Sequence, residues 1–426
     1  MAHRYLTRRW QLVAPALLLL WITGQVDKTH ISLIVADRAF LQELGLAGHN
    51  PELGGLMSAF FVGYGVSIFA WGFLVDRFGP RVCAIAGSLC WGVVLFLSSH
   101  VGGIKEYLLI RFILGVAEGN LWPVSNALTN RWFPVAEHSR VQAFWITGAP
   151  LGTAVGVPIV TMLMLATGWR GALAWLSLAS LLPLVLFLFV SDWPHGQKGI
   201  PAQELRDIER DRKIVAAGPQ ISFRSLLTSP PFWLIACCQV ASATTIYTLI
   251  QWLPSYLTAL RHLPFTTMGG WITAGYLVAT ALTLMVGYIA DRTMERALTG
   301  AAVCLSFAIL VLPAAEWLPA AGSAVVLSAL ISVPCAIAAL NGALMHTLVR
   351  PDAIARGTGV YVGIGNLTSA VGPTVFGVLI NALGGRYWGG FFFLALVNAA
   401  GAICYVILHR MQKAAGAALA GQRQRL

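Results

Sequence analysis

Runs of about twenty apolar residues, each long enough to cross the hydrocarbon core of a bilayer, recur along the whole of this 426-residue chain. No other feature constrains the fold so tightly. Inside lipid every backbone polar group has to be satisfied internally, and a helix does this within a single segment. Twelve runs are present, at about 11–34, 53–75, 82–100, 106–130, 140–166, 171–191, 231–258, 268–290, 297–315, 321–346, 355–382 and 387–409. Only 11% of the residues are charged, against roughly 25% in a soluble globular protein. The mean hydropathy of +0.73 agrees. The sequence specifies an all-α membrane protein with twelve transmembrane helices. The first run is too long for a cleaved signal peptide and is expected to be a retained span.

Basic residues orient the spans. Placing both termini in the cytoplasm puts twenty-one lysines and arginines on that side and five on the other, namely Arg38, Lys105, Arg170, Arg261 and Arg386. The expected location is a plasma (inner) membrane, multi-pass, with both termini cytoplasmic. The net charge of +11 is then a topology signal, and no nucleic acid is expected as a partner.

The chain repeats itself. GFLVDRFGPR (72–81) leaves the second span and GYIADRTMER (287–296) leaves the eighth, about half the chain apart. Both read Gly-x-x-x-Asp-Arg, so the fold is expected to be two six-helix pseudo-symmetric bundles. The boundaries are 1–191 for the N-terminal bundle, 192–229 for a cytoplasmic linker, 230–410 for the C-terminal bundle and 411–426 for a cytoplasmic tail. The centre of the linker, AQELRDIERDRKI, reads either as a short amphipathic helix or as a solvated connection.

Four charges lie inside the spans: Asp27, Lys28, Arg111 and Glu118. A charge at mid-bilayer costs roughly 2.5–3.5 kcal/mol on insertion scales, so these four should compensate one another and line a polar interior. Arg111 and Glu118 are two turns apart on one helix face. Asp27 and Lys28 point about 100° apart and address different partners. His30, one turn beyond Asp27, reads either as a member of a proton path or as a local hydrogen-bond partner. The seven cysteines all fall in apolar spans without metal-ligand spacing, and no disulfide framework is expected. There is no P-loop, no Gly-x-Ser-x-Gly elbow and no soluble domain large enough for an active site, so the chain does not read as an enzyme.

These features resemble the major facilitator superfamily, whose motif after the second span is Gly-x-x-x-Asp-Arg-x-Gly-Arg-Arg. Gly72, Asp76, Arg77, Gly79 and Arg81 match it and Pro80 departs. The resemblance implies the major facilitator fold. It also implies a gating role for Gly72, Asp76 and Arg77, with Asp291 and Arg292 in the second copy. Gly72 would allow close helix approach, and the charged pair would form a latch.

The stretch RFILGVAEGNLWPVSNALTNRWFPVAEHSR (111–140) further resembles the anion:cation symporter family of organic-acid, hexonate, hexuronate and aldarate carriers. Arg111, Glu118, Pro123, Asn126 and Trp132-Phe133-Pro134 carry that resemblance. Tyr64, the run YTLIQWLPSYL (247–257) and Gly365-Asn366-Leu367 support it. It implies proton-coupled symport of a small organic anion by alternating access. Asp27 and Glu118 would be the proton carriers, and Lys28 or Arg111 would grip a substrate carboxylate. Tyr64, Tyr247, Gln251 and Asn366 would read the rest of the substrate.

Two departures bear on the substrate. Lys28 stands where the family has arginine and forfeits bidentate recognition. Ala149 stands where a family glutamine falls, which, with Trp122, Trp145 and Trp252 nearby, admits a less hydroxylated or aromatic acid. The alternatives are an uncoupled exchanger or facilitator and a non-transporting sensor. No cofactor is expected beyond protons as the coupling ion. The expected partners are a small carboxylate and the lipid bilayer, with the protein a monomer.

Overall fold

The computed structural model describes residues 7–216, 228–293, 295–348 and 354–423, and every regular element among them is helical. The first half comprises α1 (Arg8–Ile34), α2 (Arg38–Glu43), α3 (Asn50–Phe78), α4 (Pro80–Ser98), α5 (Ile104–Glu118), α6 (Leu121–Trp132), α7 (Val135–Ile146), α8 (Gly148–Ala179), α9 (Leu182–Phe187) and α10 (Ala202–Ala216). The second comprises α11 (Pro230–Ser255), α12 (Phe265–Thr293), α13 (Arg296–Glu316), α14 (Ala320–Ala329), α15 (Ser332–Leu348), α16 (Ile354–Ser369), α17 (Val371–Ala382) and α18 (Trp388–Arg423). A π-helical turn, Tyr256–Leu260, extends α11.

Among the described residues nine helical stretches are long and apolar enough to cross a membrane, and the bent α3 makes a tenth. One of the nine, Phe144–Phe187, has 44 residues. At 1.5 Å per residue that is about 66 Å, twice the hydrocarbon core. It is two crossings, divided at Gly168, where φ is +69°. Glycine takes this conformation without the steric cost of a Cβ. The last crossing is α1, long enough at 27 residues but kept out of the nine by the polar cluster in its final third. Twelve crossings result.

The chain divides into two units, Met1–Ala47 with Gly55–Gly218, and Gly48–Gly54 with Pro219–Leu426. In the first, charged clamps tie the helix ends. Arg9 holds Glu137 through Nε and Nη2, both at 3.0 Å, and Glu204 through Nη1 at 3.1 Å. Glu204 also accepts the backbone N–H groups of Arg8 and Arg9, capping α1. The linker thus contains a helix, α10, seated on this unit by buried Glu204 and Ile208. At the other end of α1's bundle, Glu43 accepts from Trp169 Nε1 at 2.8 Å and Arg170 Nε at 2.9 Å. Arg170 also donates to the carbonyls of Ser99 and Val101.

The second unit is held differently. Tyr405 Oη donates to Asn341 Oδ1 at 2.6 Å, and Asn341 Nδ2 donates to Gln239 Oε1 at 3.0 Å. Asn398 Nδ2 donates to Thr245 Oγ1 at 2.8 Å. Among the described residues every buried charged side chain belongs to the first unit, and the second buries only neutral polar groups.

Candidate functional site

The site grows from two helices. The last third of α1 is buried on all sides from Thr23 to Ile34, apart from Val26, so Asp27 and Lys28 have no access to lipid. The span that faces them is broken. α5 stops at Glu118 and α6 resumes at Leu121, with Gly119-Asn120 as a turn between. Pro123 accounts for the break, because it has no N–H to donate to Gly119 and its ring clashes with a helical carbonyl four residues back. The freed carbonyl of Val116 accepts from Trp71 Nε1 at 2.7 Å, and the turn is tied to α4 by Asn120 Nδ2, which donates to Cys83 O at 3.0 Å. Glu118 therefore sits at a helix end held from two other helices.

Lys28 Nζ lies 2.6 Å from Glu118 Oε2 and 3.2 Å from Gly24 O. It also stands over the rings of Tyr64, at 4.9 Å, and Phe60, at 5.5 Å. The Arg111 guanidinium is 4.8 Å from the same Phe60 ring, and its Nε donates to Leu56 O at 3.2 Å. Phe60 and Tyr64, one turn apart on α3 and stacked at 5.8 Å, form an aromatic bearing for both cations. Phe60 is absent from the residues picked out of the sequence. Its signal was its place four residues before Tyr64, on the same face of an otherwise uniformly apolar helix.

α3 reaches α5 this closely because both carry glycine at the crossing. A Cβ on Gly115 would run into Phe60 O, and one on Gly63 into Phe112 O. Asp27 lies within electrostatic range of Glu118, Lys28 and Arg111. Among the described residues, Asp27 Oδ2, Glu118 Oε1 and Arg111 Nη1 are buried without a hydrogen-bond partner. An unpaired buried polar group costs about 1–3 kcal/mol, so these three atoms set the site apart from the satisfied polar groups around it.

The structure thus brings Asp27, Lys28, Tyr64, Arg111 and Glu118 together within the first unit. The second unit places Tyr247 and Gln251 on α11 and Asn366 on α16, helices that pack against each other at Gln239 and Gly365. Gln251 is fully buried, its Nε2 donating to Leu53 O at 3.1 Å and its Oε1 without a partner among the described residues. Asn366 is buried and Tyr247 half-buried. Trp145 and Trp252 are fully buried in their own units, where they pack against Trp21 and Phe376 respectively. Trp122 is half-buried.

The charged pair of the motif after the second span lies at the surface of the first unit. A Cβ at Gly72 would meet open space among the described residues. Asp76 and Arg77 are exposed and make no ion pair among the described residues; Arg77 lies over the Phe78 ring. The contact is made one turn further on. Asp192 Oδ1 accepts from Arg81 N at 2.8 Å at the start of α4, while Arg81 donates back to the carbonyls of Phe187 and Leu188 at the end of α9. Each residue caps the other's helix, and each charge suits the dipole end it meets. In the second copy Arg292 is exposed, and the Asp291 side chain lies outside the described residues.

Comparison with known proteins bears on this arrangement. The family model described as Major Facilitator Superfamily matches residues 10–348. The chain is 30% identical over 68% of its length to a protein of Cupriavidus necator named a probable sulfoacetate transporter, and 28% identical over 67% to one of Escherichia coli named a probable L-galactonate transporter. These matches span 65% and 63% of the two relatives, a little under two thirds of either. Among solved structures it is similar to a bacterial homologue of the human lysosomal transporter Spinster, with a TM-score of 0.70, 16% identity, and 93% and 95% of the two chains covered.

Proposed function

The chain belongs to the Major Facilitator Superfamily, a family of transporters rather than enzymes, and from that premise we propose that it carries a small organic anion together with protons by alternating access. The substrate is a sugar acid or a related carboxylate or sulfonate. The membrane is the plasma (inner) membrane, with both termini cytoplasmic.

One observation carries this reading: the Lys28–Glu118 pair at 2.6 Å, with Asp27 and Arg111 in range. Two acids and two bases balance. A monoanion entering this set would leave one uncompensated charge in a low-dielectric interior, a large cost. A proton on Asp27 or Glu118 cancels it and frees Lys28 or Arg111 for the substrate. Charge balance thus ties one proton to each substrate charge. The unpartnered Asp27 Oδ2, Glu118 Oε1 and Arg111 Nη1 are the atoms such an exchange would use. Neutral donors such as Gln251 and Asn366 would read hydroxyl groups.

A second reading, an aromatic acid as cargo, is favoured by Trp122. Four residues past Glu118, its half-buried ring meets Trp21 and Trp145 edge-on at 4.9 and 5.5 Å.

The test is uptake into proteoliposomes under an imposed pH gradient, with sulfoacetate, galactonate, hexuronate, tartrate and benzoate, for wild type and Glu118→Gln. Uptake that needs the gradient in wild type and collapses in the variant, with exchange retained, supports symport and selects the substrate class. Uptake indifferent to the gradient removes the coupling and leaves an exchanger.

A further inference from the structure

His30 has no task in the scheme above, yet it is fully buried, and neither ring nitrogen has a hydrogen-bond partner among the described residues. The hydroxyls nearest it in sequence are committed elsewhere, Thr29 to Gln25 O at 3.0 Å and Ser32 to Thr29 O at 2.7 Å. An aliphatic side chain would fill the same space without two orphaned polar atoms.

His30 is not isolated. It lies one turn beyond Asp27 on α1, on the same side of the helix. The charged group in range of it from a neighbouring element is Arg111 of α5, and the carbonyls of Val26 and Asp27 approach it from its own helix. One turn from Arg111, away from Glu118, Tyr107 is also fully buried with its hydroxyl unpartnered. Its ring packs edge-on to Phe40. Ordered by helix position, the unpartnered atoms are Tyr107 Oη and Arg111 Nη1 on α5, one turn apart, the His30 ring and Asp27 Oδ2 on α1, one turn apart, and Glu118 Oε1 at the end of α5. From Tyr107 to Glu118 is about 16 Å along the helix axis, half the hydrocarbon core. The series ends three residues from the start of α5, on the side that the basic-residue count assigns to the outside.

We infer that His30, with Tyr107 ahead of it, relays protons from the outer end of α1 and α5 to Asp27. An imidazole suits the task because one nitrogen accepts a proton while the other releases one. The proton taken at one nitrogen is balanced by the one passed to the Asp27 carboxylate, and the ring ends as the opposite neutral tautomer. A phenol hydroxyl donates and accepts in the same manner. The cation of Arg111 beside the path disfavours a resting second charge, so the relay hands protons on and does not store them. This rests on the proton-coupled reading.

The experiment compares two modes in proteoliposomes of wild type, His30→Gln, His30→Phe and Tyr107→Phe, using those acids of the five-member panel that exchange across the membrane. Counterflow at equal pH requires binding and alternation but no net proton entry, whereas gradient-driven uptake requires proton entry. The expected result is counterflow within about twofold of wild type in all variants, with gradient-driven uptake down roughly tenfold or more in both His30 variants and less in Tyr107→Phe. Unchanged gradient-driven uptake in His30→Phe overturns the relay. So does a parallel loss of both modes in His30→Gln, which retains hydrogen-bonding capacity and would then report packing. A wild type indifferent to the gradient sinks the proton coupling and the relay together, and one that exchanges none of the five acids takes the proposed substrate class with them. A coupled wild type with indifferent His30 variants sinks the relay alone.

Discussion

Lys28 and Glu118 sit on different helices, ninety residues apart in sequence, and close to 2.6 Å with the Lys28 side chain 7% exposed and that of Glu118 not at all. Each is the other's means of staying charged in an apolar interior. Removing one partner of a buried pair strands the other, at about 3–5 kcal/mol, whereas removing both together is often near neutral. Lys28→Met should therefore lower the thermal stability of the purified protein markedly, and Lys28→Met with Glu118→Gln should recover most of the loss. Additive losses in the double variant would show that the pair contributes no such coupling.

The Gly63–Gly115 crossing sets the aromatic bearing under both cations. Gly115→Ala forces α3 and α5 apart at Phe60 O, an overpacking cost of about 1–3 kcal/mol. Because Phe60 and Tyr64 move with α3, substrate affinity should fall more than stability alone explains. Melting curves and binding titrations on the same preparation separate the two effects, and Gly72→Ala, facing open space, is the control that should leave both unchanged.

The clamp at the far end of the bundle gives a pH signature. Glu43 lies outside the spans, and the Arg170 and Trp169 donors hold its carboxyl below the ordinary value of 4.5. A depressed folded-state pKa contributes stability that is fully present above the unfolded value and lost as pH falls through the folded one. Wild type should thus melt higher than Glu43→Gln by a constant margin above about pH 4.5, and the margin should shrink below it. A margin that widens on acidification would contradict the assignment.

Asp192 and Arg81 cap each other's helices, so Asp192→Ala should cost about 0.5–2 kcal/mol through lost capping at α4. Asp76→Ala, exposed and without an ion pair among the described residues, should cost far less. Denaturation of both variants in detergent provides the ranking, and an equal loss would return the structural weight to Asp76.

Much of this was legible in the residues. Span length fixed the twelve crossings, and the rarity of charge inside them picked out Asp27, Lys28, Arg111 and Glu118. Their pairing was not legible. Whether Lys28 meets Glu118 or the substrate depends on how α1 is rotated against α5, and that is set by packing along both helices. Phe60 was hidden for a similar reason: one phenylalanine among many in an apolar helix acquires its role only from what crosses above it. The caps were hidden by distance. Asp192 lies 111 residues from Arg81 and Glu204 lies 195 from Arg9, separations over which no local pattern speaks. The motif after the second span gave no hint that Arg81, at its end, is the residue that meets Asp192.

The second unit buries amides, hydroxyls and a phenol, and among its described residues no buried charge. A neutral interior can be recast one side chain at a time, since exchanging an amide for a hydroxyl or a methyl disturbs a hydrogen bond and not a field. The first unit has no such freedom at Asp27, Lys28, Arg111 and Glu118, where each charge lies in range of the others. A substitution in the interior of the second unit is therefore absorbed locally, whereas one among these four residues of the first is felt by the other three.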